Sequence, residues 1–300
     1  MQLNHHRTGT GEPLLLMHGI GSRWQMWEPV LRRLAEHHDV IAIDLPGFGA
    51  SPMPPPGTPP GIDSLVALVS EFLDQLGVQR PHVAGNSMGG LLALEMASRG
   101  LARSATALSP AGFASRSEMN YGRASLWLSV RLARRTARHA DTLFATAFGR
   151  RLGLSLFVAR PERLTGAEAA ENTRALAGAP WFDATLPALR AYEFSDQDQD
   201  QVAVPVTVAW GAKDRLLWPR QARRAAHALP RARVLLLDGC GHVPTWDDPE
   251  QVARVLLEGA AQPGSSPVAT GRDGSATHSL QDPGYSAAPE MPPSSSASTV

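Results

Sequence analysis

The stretch Gly85-Asn86-Ser87-Met88-Gly89-Gly90 decides how the rest of the chain is read. A short apolar run, His82-Val83-Ala84, leads into it, and a helical pattern opening at Leu91 leads out. A serine flanked at two residues' distance by glycines, at such a junction, has the G-x-S-x-G form of a sharp strand-to-helix turn. Gly85 and Gly89 leave room for main chains to approach closely, while Ser87 takes a strained conformation that exposes its Oγ. The N-terminus of the following helix adds positive potential where an oxyanion would develop. Ser87 is therefore the candidate nucleophile.

A serine at neutral pH needs a base. His242, in Gly239-Cys240-Gly241-His242, directly follows the apolar run Val234 to Leu237 and can be carried over the serine from that strand's carboxyl end. The nine other histidines are placed less well. His5, His6, His37 and His38 lie in polar segments, His139 and His227 on helical patterns, His82 at the wrong end of its strand and His278 in the tail, while His18 suits a brace for its loop. The base needs a carboxylate to fix its tautomer. Asp214, in Trp210-Gly211-Ala212-Lys213-Asp214, follows the run Val204 to Trp210. The preceding strand ends in Ser109-Pro110, which offers no acid. Two backbone N–H groups should receive the oxyanion: that of Met88, after the nucleophile, and that of Ile20, in the loop His18-Gly19-Ile20-Gly21.

Working outward, short apolar runs recur at Pro13–Met17, Val40–Asp44, Pro81–Gly85, Ala102–Ser109, Val204–Trp210 and Arg233–Leu237. Each is bounded by Gly, Pro or Asp and suits a strand buried on both faces. Helical patterns lie between them. Asp63 or Ser64 can cap a helix that presents Leu65, Val69, Phe72, Leu73 and Leu76, with Gly77 ending it, and further helices fit around Leu91–Ala97, Gln221–Leu229 and Gln251–Leu257. This alternation implies an α/β fold with a doubly wound, mostly parallel sheet. From about Phe113 to Asp200 only helical patterns occur, so a helical cap is expected over the carboxyl edge of the sheet. The expected organisation is a core of residues 1–112 and 201–261, a cap of 113–200, and a disordered Pro/Ser-rich tail of 262–300, too poor in large apolar residues to offset its ordering entropy. Between Arg116 and Arg190 there are twelve arginines against six acids, with Arg131, Arg134, Arg135 and Arg138 on one helix face. The plain reading is a solvated surface. Trp24, Trp127, Trp181 and Phe182 are candidates to line a substrate pocket, against the alternative that they pack the cap.

The motifs His18-Gly19-Ile20-Gly21, Asp44-Leu45-Pro46-Gly47-Phe48-Gly49-Ala50-Ser51, the serine turn, Gly211-Ala212-Lys213-Asp214 and Gly241-His242 together resemble the α/β-hydrolase superfamily over roughly residues 2 to 261. That resemblance implies an α/β-hydrolase fold and the chain order Ser87, Asp214, His242 for a catalytic triad. It assigns the Asp44 loop to structure. Gly-Asn-Ser-Met-Gly-Gly is similar to both carboxylesterases and meta-cleavage-product (carbon–carbon bond) hydrolases. The latter typically carry Trp after the catalytic His and a glycine-rich oxyanion loop, where this chain has Val243 and Ser22-Arg23-Trp24. The expectation is an ester hydrolase for a small to medium, apolar substrate, with carbon–carbon bond cleavage as the alternative. A low-turnover ligand-binding sensor is a third reading. The family often has one more N-terminal hairpin strand than Met1–Thr8 can supply.

The bulk numbers agree. Lys+Arg and Asp+Glu are 28 each in 300 residues, so no net charge draws nucleic acid or an anionic membrane. A lone Cys240 excludes an internal disulfide, Met1–His6 has no signal-peptide core, and no run is long enough to span a bilayer. A cytoplasmic location, a small-molecule substrate, no metal and no cofactor are the expectations; oligomeric state is not legible.

Overall fold

All six apolar runs form strands. The computed structural model describes residues 1–189, 194 and 202–261, and these fall in one compact unit; the tail expected at 262–300 lies outside the described residues. In chain order the strands are β1 (His5–Thr8), β2 (Glu12–Met17), β3 (His38–Ile43), β4 (His82–Asn86), β5 (Ser104–Leu108), β6 (Val206–Gly211) and β7 (Arg233–Leu237). They form one sheet in the order β1-β3-β2-β4-β5-β6-β7. β1 runs antiparallel to β3, and every other neighbouring pair is parallel. Among the described residues, the antiparallel edge strand is β1.

The connections set the position of the site. The chain leaves β2 for β3 on one side, then crosses to β4 on the other. The carboxyl ends of β2 and β4 therefore open where the winding reverses, the usual ligand crevice of such sheets. Side chains on a strand alternate between faces. Leu15 and Met17 join a core with α2 (Ile62–Gln75) and α3 (Met88–Ser98), while Leu14 and Leu16 pack against α1 (Glu28–Ala35) on the opposite face. Every residue of α3 is buried, Glu95 and Ser98 included, so it has no solvent-facing polar stripe. The helix expected after Asp63 is capped by Gly61 instead and starts at Ile62. Asp63 sits in its first turn, where a carboxylate favours the N-terminal dipole without serving as the cap.

The insertion contains α4 (Arg116–Thr136), α5 (Ala140–Phe144), α6 (Ala147–Leu154), α7 (Gly166–Ala177) and α8 (Phe182–Ala188), and no strand occurs in it among the described residues. Phe144, Leu154, Val158, Leu164 and Ala169 make a small core of its own, whereas Phe113, Val130, Trp181 and Phe182 pack into the main one. α4 opens with a capping box: the Glu118 N–H faces the Ser115 hydroxyl, and the Ser115 N–H donates to Glu118 Oε2 at 2.7 Å. The chain then returns through β6, α9 (Gln221–Ala228) and β7 to α10 (Pro244–Asp247) and α11 (Pro249–Ala261). Glu118 is buried and ion-paired with Arg220 and Arg224, which fastens the start of the insertion to this returning segment. Burial raises the Glu118 carboxyl, but its arginine and Ser115 partners outweigh that and hold it below its ordinary value.

Candidate active site

Ser87 stands between β4 and α3 with φ 56° and ψ −115°, one of three non-glycine residues at positive φ among those described. Two tight approaches impose this turn. A Cβ on Gly85 would lie 2.0 Å from the Gly89 carbonyl oxygen, and one on Gly89 would lie 2.1 Å from the Met17 carbonyl oxygen. Main chain blocks both positions, so no side-chain shift could relieve them. The bend is locked by the Ser87 N–H donating to Leu108 O at 2.9 Å and by Ala111 N–H donating to Ser87 O at 3.1 Å.

His242 and Asp214 meet at the same edge. His242 Nδ1 lies 2.8 Å from Asp214 Oδ2, and both side chains are almost fully buried. Asp214 Oδ1 accepts the N–H groups of Leu216 and Leu217 at 2.9 and 2.8 Å. A carboxylate has only acceptors, so His242 must donate from Nδ1, which leaves Nε2 as its basic nitrogen. Asn86 ties this pair to the serine. Its Nδ2 donates to His242 O at 2.8 Å and to Leu108 O at 3.1 Å, so the residue next to Ser87 grips the main chain of the histidine itself. Asn86 occupies a variable position of the motif, and its role is invisible until the loops are folded.

The loop after β2 closes the other side. A Cβ on Gly19 would lie 3.2 Å from Ser87 Cβ, so this loop rests against the serine. Met88 opens α3, where an N–H has no partner within the helix. Ile20 and Ser87 line one cavity of about 80 Å³. His18 braces the loop: its Nε2 accepts the Leu45 N–H at 2.9 Å and its Nδ1 lies 2.7 Å from Gly19 O. A ring used this way is neutral. Burial pulls its pKa below the ordinary 6.5, against opposing pulls from Asp44 and the Gly19 carbonyl. Unfolded chains take up that proton near pH 6.5 and the folded chain only at lower pH, so this contribution is complete above about 6.5 and lost as pH falls from there towards the folded value. Stability measured by denaturant should therefore drop between about pH 6.5 and 5 more steeply in the native protein than in His18→Gln. Parallel curves would remove His18 from this role.

Asp44 holds structure, as expected, accepting Trp24 N–H at 2.7 Å, Ala50 N–H at 2.8 Å and Asn4 Nδ2 at 2.7 Å. Asp247 was not legible in the sequence. This fully buried carboxylate accepts Gly241 N–H at 2.7 Å, Arg160 N–H at 2.7 Å and Ala159 N–H at 3.0 Å. It thus joins the insertion to the loop that carries His242. Burial keeps its carboxyl above the ordinary value despite those three donors. Asp247→Ala would strand three buried N–H groups, with an expected loss of about 3 kcal/mol and of any activity that depends on the loop carrying His242. Denaturant titration beside the assay checks this; a variant as stable and active as its parent would refute it. Cys240 is no rival nucleophile, because burial pushes its thiol up to about 12.

The four aromatic pocket candidates are placed elsewhere. Trp127 is 50% exposed on the outer face of α4, with Arg131 stacked 4.5 Å from its ring centroid. Phe182 and Trp181 pack the main core, Trp181 beside Gly47, and Trp24 stacks on His6 with ring centroids 4.8 Å apart. The cavity at Ser87 is lined instead by Met119, Gly122, Arg123 and Leu126 from α4 and by Leu186 and Leu216. The spacing 119, 122, 123, 126 is one helical stripe, and helix phase, not aromatic character, decides which residues line this cavity. In the cationic face, Arg134 pairs with Asp183 at 2.9 Å, in keeping with a solvated surface. Among the described residues no cluster of three or more His, Cys, Asp or Glu is placed to hold a metal ion, and no helix is long and apolar enough to cross a membrane.

Residues 14–255 match the model of the "Alpha/beta hydrolase family". The chain belongs to this family. Among relatives of this alpha/beta hydrolase is the 2-hydroxy-6-oxo-2,4-heptadienoate hydrolase of Pseudomonas putida, 39% identical over 102 residues, a match that spans only 33% of this chain and 37% of that protein. Another is the pimeloyl-[acyl-carrier protein] methyl ester esterase of Nitrosomonas europaea, 29% identical over 81% of this chain and 94% of that protein. Among solved structures, a bacterial membrane phospholipase A described as a virulence factor superposes with a TM-score of 0.69 at 26% identity, over 88% of this chain and 86% of that one.

Proposed function

We propose that this alpha/beta hydrolase cleaves carboxylic esters of short acyl chain through an acyl-enzyme on Ser87. The observation that carries the reading is the buried His242–Asp214 pair, 2.8 Å apart and held through the His242 carbonyl by Asn86, the residue adjoining a serine at φ 56°. Ser87 Oγ attacks the ester carbonyl carbon as His242 Nε2 takes its proton. The oxyanion of the tetrahedral intermediate is received by the Ile20 and Met88 N–H groups. The intermediate collapses, the carbon–oxygen bond to the alcohol breaks, and His242 returns the proton to that alcohol. Water then repeats the sequence on the acyl-enzyme, with His242 as base, and releases the acid and free Ser87. A cavity of about 80 Å³ lined by leucine, isoleucine and methionine supports short acyl groups over long ones. The esterase relative supports ester chemistry.

Carbon–carbon bond hydrolysis is a second reading, favoured by the 39% identity to the heptadienoate hydrolase. Two measurements decide. A fluorophosphonate probe should label the native protein and not Ser87→Ala, and acetate-to-butyrate esters should be cleaved faster than octanoate esters. Bleaching of a coloured ring-fission dienoate without ester turnover would replace the ester reading by the second. Absence of labelling in folded protein would leave only a binding role.

A further inference from the structure

The cavity beside Ser87 is apolar except for one cation. Arg123 projects from α4 in the stripe that faces this space, among Ile20, Met119, Leu126, Leu186 and Leu216. Its Nε is shut off from solvent and has no hydrogen-bond partner. Burying one guanidinium N–H without a partner is costly, and Nη1 and Nη2, which keep solvent contact, are free to meet a ligand. Two other arginines, Arg23 and Arg150, also have a bare Nε. Their terminal nitrogens are used by the protein, in an ion pair with Glu171 and a hydrogen bond to Phe144 O. Arg123 has no such partner among the described residues. The nearest acid along α4, Glu118, is already taken by Arg220, Arg224 and the Ser115 N–H. Among the described residues no carboxylate pairs with Arg123, which lines the same cavity as Ser87.

The geometry points to a substrate that brings the counter-charge: Arg123 is the anchor for a carboxylate on the ester, so the preferred substrates are anionic esters, such as monoesters of short dicarboxylic acids, and not neutral ones. This rests on Ser87 as the esterase nucleophile and adds a specificity-determining residue to it. An arginine fork meets a carboxylate through charge-assisted hydrogen bonds, and beside an apolar wall such a pair discriminates by on the order of 10- to 100-fold.

The test compares matched esters. Methyl butyrate against monomethyl succinate places the charge on the acyl limb, and butyl acetate against 4-acetoxybutanoate places it on the alcohol limb. Proton release gives kcat/KM for each in the native enzyme, Arg123→Met and Arg123→Lys. The native enzyme should prefer the anionic member of one pair by 10-fold or more. That ratio should fall to 1 or below in Arg123→Met and be partly kept in Arg123→Lys. Fluorophosphonate labelling of Ser87 reports the underlying reading separately. Where labelling fails, succinate against butyrate binding to the native protein and to Arg123→Met, followed by calorimetry, still reads the anchor: tighter succinate binding lost in the variant supports it, and equal binding overturns it. With labelling intact, a neutral preference in both pairs, or a selectivity ratio the same in Arg123→Met, overturns the proposal. A merely structural role for Arg123 would lower both members of a pair alike and leave that ratio untouched.

Discussion

Ser87→Ala should lower kcat/KM on a short-chain ester by about 10⁵-fold, His242→Ala by a similar factor, and the double variant by no more than either alone. The expected non-additivity follows from the geometry. Nε2 of His242 has no proton to take without the Ser87 hydroxyl, and the hydroxyl is a poor nucleophile without that nitrogen. Either deletion therefore ends the same step. What remains should be the contribution of the Ile20 and Met88 N–H groups and of binding, which the single and double variants share. Steady-state rates on the three variants, with circular dichroism to confirm folding, check this. Losses that multiply in the double variant would mean that the two residues act in separate steps.

Asp214→Asn should cost about 10⁴-fold in kcat with little change in stability. The carboxylate receives three donors: His242 Nδ1 on Oδ2, and the Leu216 and Leu217 N–H groups on Oδ1. An amide has one oxygen. If it stays with the two loop N–H groups, its NH₂ faces Nδ1 of His242, and the ring must accept there. The proton then sits on Nε2, the nitrogen that should take it from Ser87. Main-chain bonds such as Asn86 to His242 O do not depend on the carboxylate, so the loops should keep their places. A loss below about 10-fold would remove Asp214 from the mechanism, whereas thermal melting lowered together with activity would make it a structural residue.

Strand positions were legible, and candidates for the triad could be named, because each rests on local pattern. Buried parallel strands read as apolar runs, and the serine turn needs glycine where main chains touch, as at Gly85 and Gly89. The loops at the carboxyl ends of β6 and β7 could be placed from strand order alone. Residues whose role is created by chain crossings were not legible. Asn86 and Asp247 bond to main chain far away in sequence, and no local spacing announces that. The aromatic pocket candidates lie outside the lining of the Ser87 cavity for a related reason. Burial of a large ring says that it packs, but not against what, and Phe182 packs the main core. The helix at Glu28–Ala35 does carry an ordinary amphipathic signal, the apolar stripe Val30, Leu31 and Leu34.

The carboxylate of Asp247 has a consequence for engineering. With Val243 N–H on Phe157 O at 2.8 Å, it rivets the middle of the insertion beside the histidine, while Glu118 rivets its beginning. Shortening Leu186 on α8 widens the chamber without loosening either rivet, so a variant for bulkier acyl groups should be sought there, with α4 left intact.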